Sequence, residues 1–403
     1  MKWKLAWKQI NNSRLMTIFI TIELFLFFIL MIAGSSIISY NTKNYREFSD
    51  FFSHDGYYVD LLGSPAIDSP KLEEKLKDVQ VTSCYYGTFE IKEKENTLVL
   101  GYDTDFVKRH KPELVKGEWL TKASKKENIL HVVVGGTLRN MEPGTILHGM
   151  RMNSDQSFDI KVIGVLNDHA TIIGHPNGSR QTNSDYNKMY TKLDSVDVKG
   201  GLMLFSKEEM ERLNQLNKVQ MDYSMGDICF IRYNKGISRE DNKYNNDYIT
   251  NQITYNERIA LPQMKKESLR KMGVKFYSLI PILGAIFCMT LITAICNNAI
   301  MIRRQSYSYA VYYICGMKWR DCIKVNIITN LIQTVIAFLG AAIIVRLFIV
   351  GRYYLTTAIT FTMQEVIVCI VAEIIYLFLA LLLPYFMISG SNPCKVLNDN
   401  MYE

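Results

Sequence analysis

Four stretches of this 403-residue chain are too long and too apolar for ordinary water-soluble helices. They cover residues 15–39, 277–300, 323–350 and 364–389. Each meets the length of about 20 apolar residues that a helix needs to cross a bilayer. A soluble helix keeps a polar face, and these largely lack one. The first has too long an apolar core for a cleaved leader, and no small-x-small site follows it directly. The sequence therefore predicts four transmembrane helices. Between the first two lies a polar region, 40–276, long enough to be a domain of its own. The mean hydropathy of +0.02 is the average of these unlike parts.

The polar region alternates like strands in "HVVVGG" and "FDIKVIGVL". It has helical periodicity in "SPKLEEKLKDV", with Ser69 as N-cap and Pro70 in the first turn, and in "SKEEMERLNQLN". "GGTLRN" reads as a turn and "NGSRQTNSDYNK" as a loop. The expected fold is an α-helical membrane protein with a large α+β domain inserted between spans one and two. Residues 1–14 place Trp3, Ala6, Trp7 and Ile10 on one helical face, with Lys2, Lys4 and Lys8 off it, as in a helix lying on a membrane surface. A short loop at 351–363 joins spans three and four, and a polar tail occupies 390–403.

The stretch 301–322, containing "RRQSYSYAVYYICGMKWRDC", is too polar to span and too short to be a domain. In a helix counted from Ser306, Tyr309, Tyr312, Tyr313 and Gly316 share one side. Tyrosine combines apolar area with a hydroxyl, which suits docking in a partner's groove or resting at lipid headgroups. Gly316 fits a left-handed cap, and Lys318 and Arg320 follow it.

The formal net charge is +7, with Lys and Arg concentrated near the span ends. With no basic-aromatic motif, this indicates membrane lipids rather than nucleic acid. Lys2, Lys4, Lys8, Arg14, Arg303, Arg304, Lys318, Arg320 and Lys324 lie on one side. Lys43, Arg46, Lys265, Lys266, Arg270, Lys271, Lys275 and Arg352 nearly balance them on the other, so charge alone does not orient the chain.

No catalytic motif is evident. The chain lacks G-x-x-x-x-G-K-[ST], H-E-x-x-H and G-x-S-x-G, and its eight cysteines show no zinc spacing. Cys84 and Cys229, the two in the polar region, are more readily two isolated thiols than a bridge. Asp168, His169 and His175 are near in sequence but read as loop residues rather than metal ligands. Within the spans, Glu23 and Glu373 are costly carboxylates. Asn326, Asn330, Gln333 and Thr334 form a polar stripe suited to binding a neighbouring span. Glu23 lies about 12 Å into span one at 1.5 Å per residue, and Asn330 is at similar depth in span three. A hydrogen bond from Asn330 or Gln333 to Glu23 is the expectation.

Layout and motifs together resemble the FtsX/MacB-type ABC transporter permeases. "ELVKGEWLTKASKKENILHVVVGGTL" and "EPGTILHGMRMNSDQSFDIKVIGVLND" are similar to two consecutive stretches of that family's outer domain. The Tyr-rich stretch falls where the family has "E-[IF]-G-[IV]-[LM]-[RK]-[AS]-[LI]-G", with Ser308 in place of its Glu and Ala310 in place of its first Gly. "NPCKVL" resembles the family's terminus. The resemblance implies a multi-pass protein of a bacterial cell membrane with 40–276 extracytoplasmic. It implies a second copy or a related permease, and a dimer of separate ABC ATPase subunits. Those subunits would use ATP and Mg, with no cofactor bound by this chain, which would not itself be an enzyme. It further implies coupling through Tyr309, Tyr312, Tyr313, Gly316, Lys318 and Arg320, and mechanotransmission to the outer domain for export of, or resistance to, peptides. A non-transporting regulator of cell-wall hydrolysis and a peptide-sensing receptor are the alternatives.

Overall fold

The computed structural model describes residues 2–61, 72–87, 89–92, 97–122, 128–151, 157–175, 184–193, 200–216, 221, 223–253, 255–350 and 362–390. Ser69, Pro70, most of the loop expected at 351–363 and nearly all of the tail at 390–403 lie outside them. In chain order the helices are α1 (Lys2–Asn12), α2 (Arg14–Glu47), α3 (Leu72–Lys75), α4 (Thr104–Arg109), α5 (Lys207–Leu216), α6 (Arg239–Gln252), α7 (Leu261–Ile314), α8 (Trp319–Val350) and α9 (Met363–Gly390). The strands are β1 (Gly56–Leu61), β2 (Val79–Gly87), β3 (Phe89–Ile91), β4 (Leu98–Tyr102), β5 (Leu114–Gly117), β6 (Leu130–Gly136), β7 (Ile146–Arg151), β8 (Ser157–Leu166), β9 (Thr171–Ile173), β10 (Tyr190–Lys192), β11 (Gly201–Ser206), β12 (Tyr223–Tyr233) and β13 (Tyr255–Ala260). Contacts divide the chain into a helical unit, Met1–Thr42 with Gly273–Glu403, and an α+β unit, Lys43–Met272.

In the α+β unit eleven strands form one mixed sheet, ordered β13-β1-β12-β2-β4-β11-β6-β8-β7-β3, with β5 alongside β8. Only β4–β11 and β6–β8 run parallel among the described pairs of this sheet. The two alternating runs of the sequence became β6 and β8, and "KEEMERLNQL" became α5. Met210 and Leu213 of α5 pack over Val132, Val134, Val162 and Phe205, removing apolar area from water.

Strand β12 is buried on both faces, which a period-two strand achieves by covering each side separately. Cys229, Ile231 and Tyr233 pack with Ile249 and Ile253 at the end of α6. Phe230 meets five aromatic rings at centroid distances of 5.3 Å (Tyr58), 5.4 Å (Phe51), 6.1 Å (Phe106), 6.3 Å (Phe48) and 6.3 Å (Phe52). Phe48, Phe51 and Phe52 directly follow α2, so this cluster is where the chain leaving that helix is fixed to the sheet. Cys84 and Cys229 are buried free thiols.

The glycines in the two stretches that resemble permease motifs have a physical role. Gly117 has φ +80° and is the register partner of Gly164. A Cβ on Gly117 would stand 2.1 Å from the Ile163 carbonyl oxygen, and one on Gly164 2.5 Å from that of Glu118. Two backbones touch here, and only glycine permits it.

Several buried ionic groups inside this unit are paired. Lys188, 1% exposed, reaches Glu257 and lies 3.8 Å from buried Asp60. Burial pushes the Asp227 carboxyl above its ordinary value, partly offset by neighbouring His175. Asp168 pairs with Arg139 at 2.9 Å, and His175 Nδ1 lies 3.3 Å from Thr191 Oγ1. Among the described residues no cluster of three or more His, Cys, Asp or Glu could hold a metal.

In the helical unit, α2, α7, α8 and α9 are long and apolar enough to cross a membrane. Leu24, Phe27, Phe28 and Ile32 of α2 pack against Ala294, Ala337, Ala341, Tyr376 and Ala380. Small residues on the other helices let the backbones approach, as bundles in lipid require. Large apolar side chains such as Phe19, Ile282, Ile343 and Phe378 point outward. The helices outrun the apolar windows. Most notably, α7 is continuous for 54 residues and contains Pro281. The expected separate helix within 301–322 is instead the last part of α7, because no Gly or Pro interrupts the chain between Gly284 and Gly316.

Candidate coupling turn and buried polar seam

The end of α7 is set by Gly316. Its φ is +88°, as the sequence led one to expect of a left-handed cap. The Met317 N–H donates to the Tyr312 carbonyl and the Gly316 N–H to that of Tyr313, each at 3.0 Å. These two bonds are the Schellman pattern, and Met317 and Tyr312 join the same apolar cluster, as that motif favours. Helix α8 starts three residues later. Asp321 in its first turn accepts Lys2 Nζ at 2.7 Å, tying α1 to α8.

The tyrosine face differs from the expectation. Tyr309 is only 3% exposed, and its Oη donates to Gln9 Oε1 of α1 at 3.4 Å. Tyr312 is half-buried, sealing the turn. Tyr313, 44% exposed, Lys318 and Arg320 present outward. Of the side that helical spacing grouped together, Tyr309 and Tyr312 are turned toward α1 and α8, so Tyr309 has no free surface to offer a partner. Helix α1 keeps Trp3 and Trp7 of its predicted face outward but not Ala6. Ala6 and Gln9 are buried, while Trp3 and Trp7 are 61% and 60% exposed. Ala6 is small enough for α1 to lie close to α8.

Inside the bundle the polar stripe of α8 is fully buried. Asn330 and Asn298 of α7 exchange amide hydrogen bonds, Asn298 Nδ2 to Asn330 Oδ1 at 3.2 Å and Asn330 Nδ2 to Asn298 Oδ1 at 3.1 Å. Asn298 Nδ2 also reaches the Ala380 carbonyl of α9 at 3.5 Å. Thr329 donates to Gln9 Oε1 at 3.3 Å. The bond expected between Glu23 and Asn330 or Gln333 is absent. Glu23 instead neighbours Thr293 of α7, and Glu373 neighbours Thr334. Equal depth in two spans did not imply facing sides. Gln333 is buried, and its Nε2 has no partner among the described residues.

Sequence reasoning overlooked Asn298, Gln9 and Thr329. The signal for Asn298 was present, since an amide inside an apolar span is costly unless paired. It also overlooked the start of α9, where "TMQE" forms a capping box in which the Thr362 N–H donates to Glu365 Oε2 at 2.7 Å.

The reciprocal pair makes a testable claim. Asn330→Leu leaves the buried Asn298 amide without its main partner and is expected to cost about 1–2 kcal/mol. Asn298→Leu should cost about as much, and the double variant less than the sum. Unfolding of the four forms by SDS titration in mixed micelles measures the coupling; additive losses would remove the pair from the account.

No family model matches the chain, and no curated protein matches it. Solved structures similar to parts of it include the following three. The periplasmic region of MacB from Actinobacillus actinomycetemcomitans is 11% identical, covering 54% of this chain and 94% of its own, with a TM-score of 0.27. The extracellular domain of the noncanonic ABC-type transporter YknZ from Gram-positive bacteria is 11% identical over 51% and 98%, with a TM-score of 0.23. A domain of a putative permease protein from Porphyromonas gingivalis is 15% identical over 47% and 79%, with a TM-score of 0.22. Likeness at this level decides no function.

Proposed function

We propose that this chain is the membrane-spanning subunit of an FtsX/MacB-type ABC system, with the α+β unit outside the cell membrane. In this reading two such subunits, identical or related, work with a dimer of separate ATPases, and peptides are the cargo. One observation carries the reading. Helix α7 starts in the α+β unit, runs on as a span and ends at a rigid turn displaying Tyr313, Lys318 and Arg320. A push on that turn acts on a helix that belongs to both units. These residues carry no P-loop motif, and in this reading ATP hydrolysis falls to the separate ATPase subunits.

Native-membrane pull-down of the tagged chain is expected to recover a P-loop ATPase. Tyr313→Glu places a charge in the docked contact, and Gly316→Val opposes the positive φ of the turn. Each should lower recovery at least about tenfold, the loss expected on removing an interface anchor. Full recovery with both variants in detergent would exclude the turn as the coupling element. A membrane-impermeant maleimide applied to intact cells should leave exposed Cys315 unlabelled; labelling there would reverse the proposed sidedness.

A further inference from the structure

Helix α1, the end of α7 and the start of α8 surround a cavity of about 210 Å³. Lys8 and Arg304 line it, and no Asp or Glu does. Neither cation makes an ion pair among the described residues, so their charge is available. Gln9 also lines the cavity and is 5% exposed. Its Oε1 accepts from Tyr309 and Thr329, while its Nε2 is buried with no acceptor. A buried donor without an acceptor is uncommon, and here it sits in a cavity with two cations. Met16, Met301 and Val325 supply an apolar side. The site is built to receive something anionic at one end and apolar at the other.

Its level along the spans says what that is. Arg304 lies four residues beyond the apolar window that ends at residue 300, or about 6 Å at 1.5 Å per residue. The headgroup layer is about 5–7 Å thick on each side of a ~30 Å hydrocarbon core. Exposed Trp3 and Trp7 on α1 are the side chains that favour this layer. The abundant anions there are lipid phosphates.

We propose that this cavity binds the phosphate headgroup of an anionic phospholipid, held by Arg304 and Lys8, with Gln9 Nε2 donating to a headgroup oxygen and the acyl chains leaving along Met16 and Met301. The inference rests on α2, α7 and α8 being membrane spans and does not require the ATPase. The test uses the full chain, delipidated in a neutral detergent, with phosphatidylglycerol, phosphatidylcholine and inorganic phosphate as probes. Native mass spectrometry should show phosphatidylglycerol retained, and the thermal midpoint should rise with it alone. Arg304→Gln should weaken its binding about tenfold, as loss of a charge-assisted bond does. Gln9→Glu keeps the acceptor for Tyr309 and Thr329 but turns the donor into a repelling charge, and should abolish binding. Arg303→Gln, an exposed neighbour that does not line the cavity, should leave binding unchanged. Equal loss with Arg303→Gln would mean diffuse attraction and overturn the site. Equal stabilisation by inorganic phosphate would overturn the lipid as ligand, and equal retention of phosphatidylcholine would overturn the anion. Release of the chain from membranes by alkaline carbonate would instead overturn the spanning reading, a result separate from any ATPase outcome.

Discussion

Phe230→Ala is expected to destabilise the α+β unit by about 3–5 kcal/mol, the usual range for deleting a buried aromatic ring. Five aromatic rings surround this side chain, and both faces of its strand are covered, so the cavity left behind has little means of collapsing. Three of the rings belong to the segment that follows α2, so the loss would also free that segment from the sheet. Hydrogen exchange of β1 and β12 amides in the intact chain is the suitable readout, since it reports this unit apart from the helices. Exchange through opening should accelerate by roughly a hundredfold or more, at tenfold per 1.4 kcal/mol. An acceleration below tenfold would mean that the cluster is slack.

Lys188→Met should be nearly as damaging. Removing one partner of a buried ion pair costs about 3–5 kcal/mol, because the other charge is left without compensation. Here Asp60 is fully buried and would lose the ammonium that lies 3.8 Å from it. A second change, Asp60→Leu, should restore part of the stability by removing the stranded group. The same exchange experiment applies. If Lys188→Met matched the wild type at neutral pH, the pairing would have no energetic role.

What the sequence disclosed and what it withheld follow from range. The four long apolar helices, β6, β8, α5 and the cap at Gly316 depend on neighbours within a few residues, and all were legible. The position of Tyr309 was not, because it depends on Gln9, about 300 residues earlier in the chain. Strand β12 pairs with β1 and β2, and no local period reveals partners that distant. Of the candidate site, the turn was read correctly as a turn and its outward face only in part. The polar stripe was found on α8, but its true partner, Asn298, was overlooked in favour of a carboxylate at matching depth.

The first and last strands of the α+β unit lie side by side. Tyr57 is paired with Ala260, so everything between them leaves and returns through adjacent backbone positions. Antiparallel partners are about 4.5–5.5 Å apart at Cα. To the helices, then, this whole unit is topologically equivalent to a tight hairpin. What the bundle must accommodate is one pair of neighbouring chain ends, whatever is folded beyond them. Such an insert is modular: it can grow, shrink or be exchanged for another whose ends meet in the same way, while the helices that carry it keep their own packing.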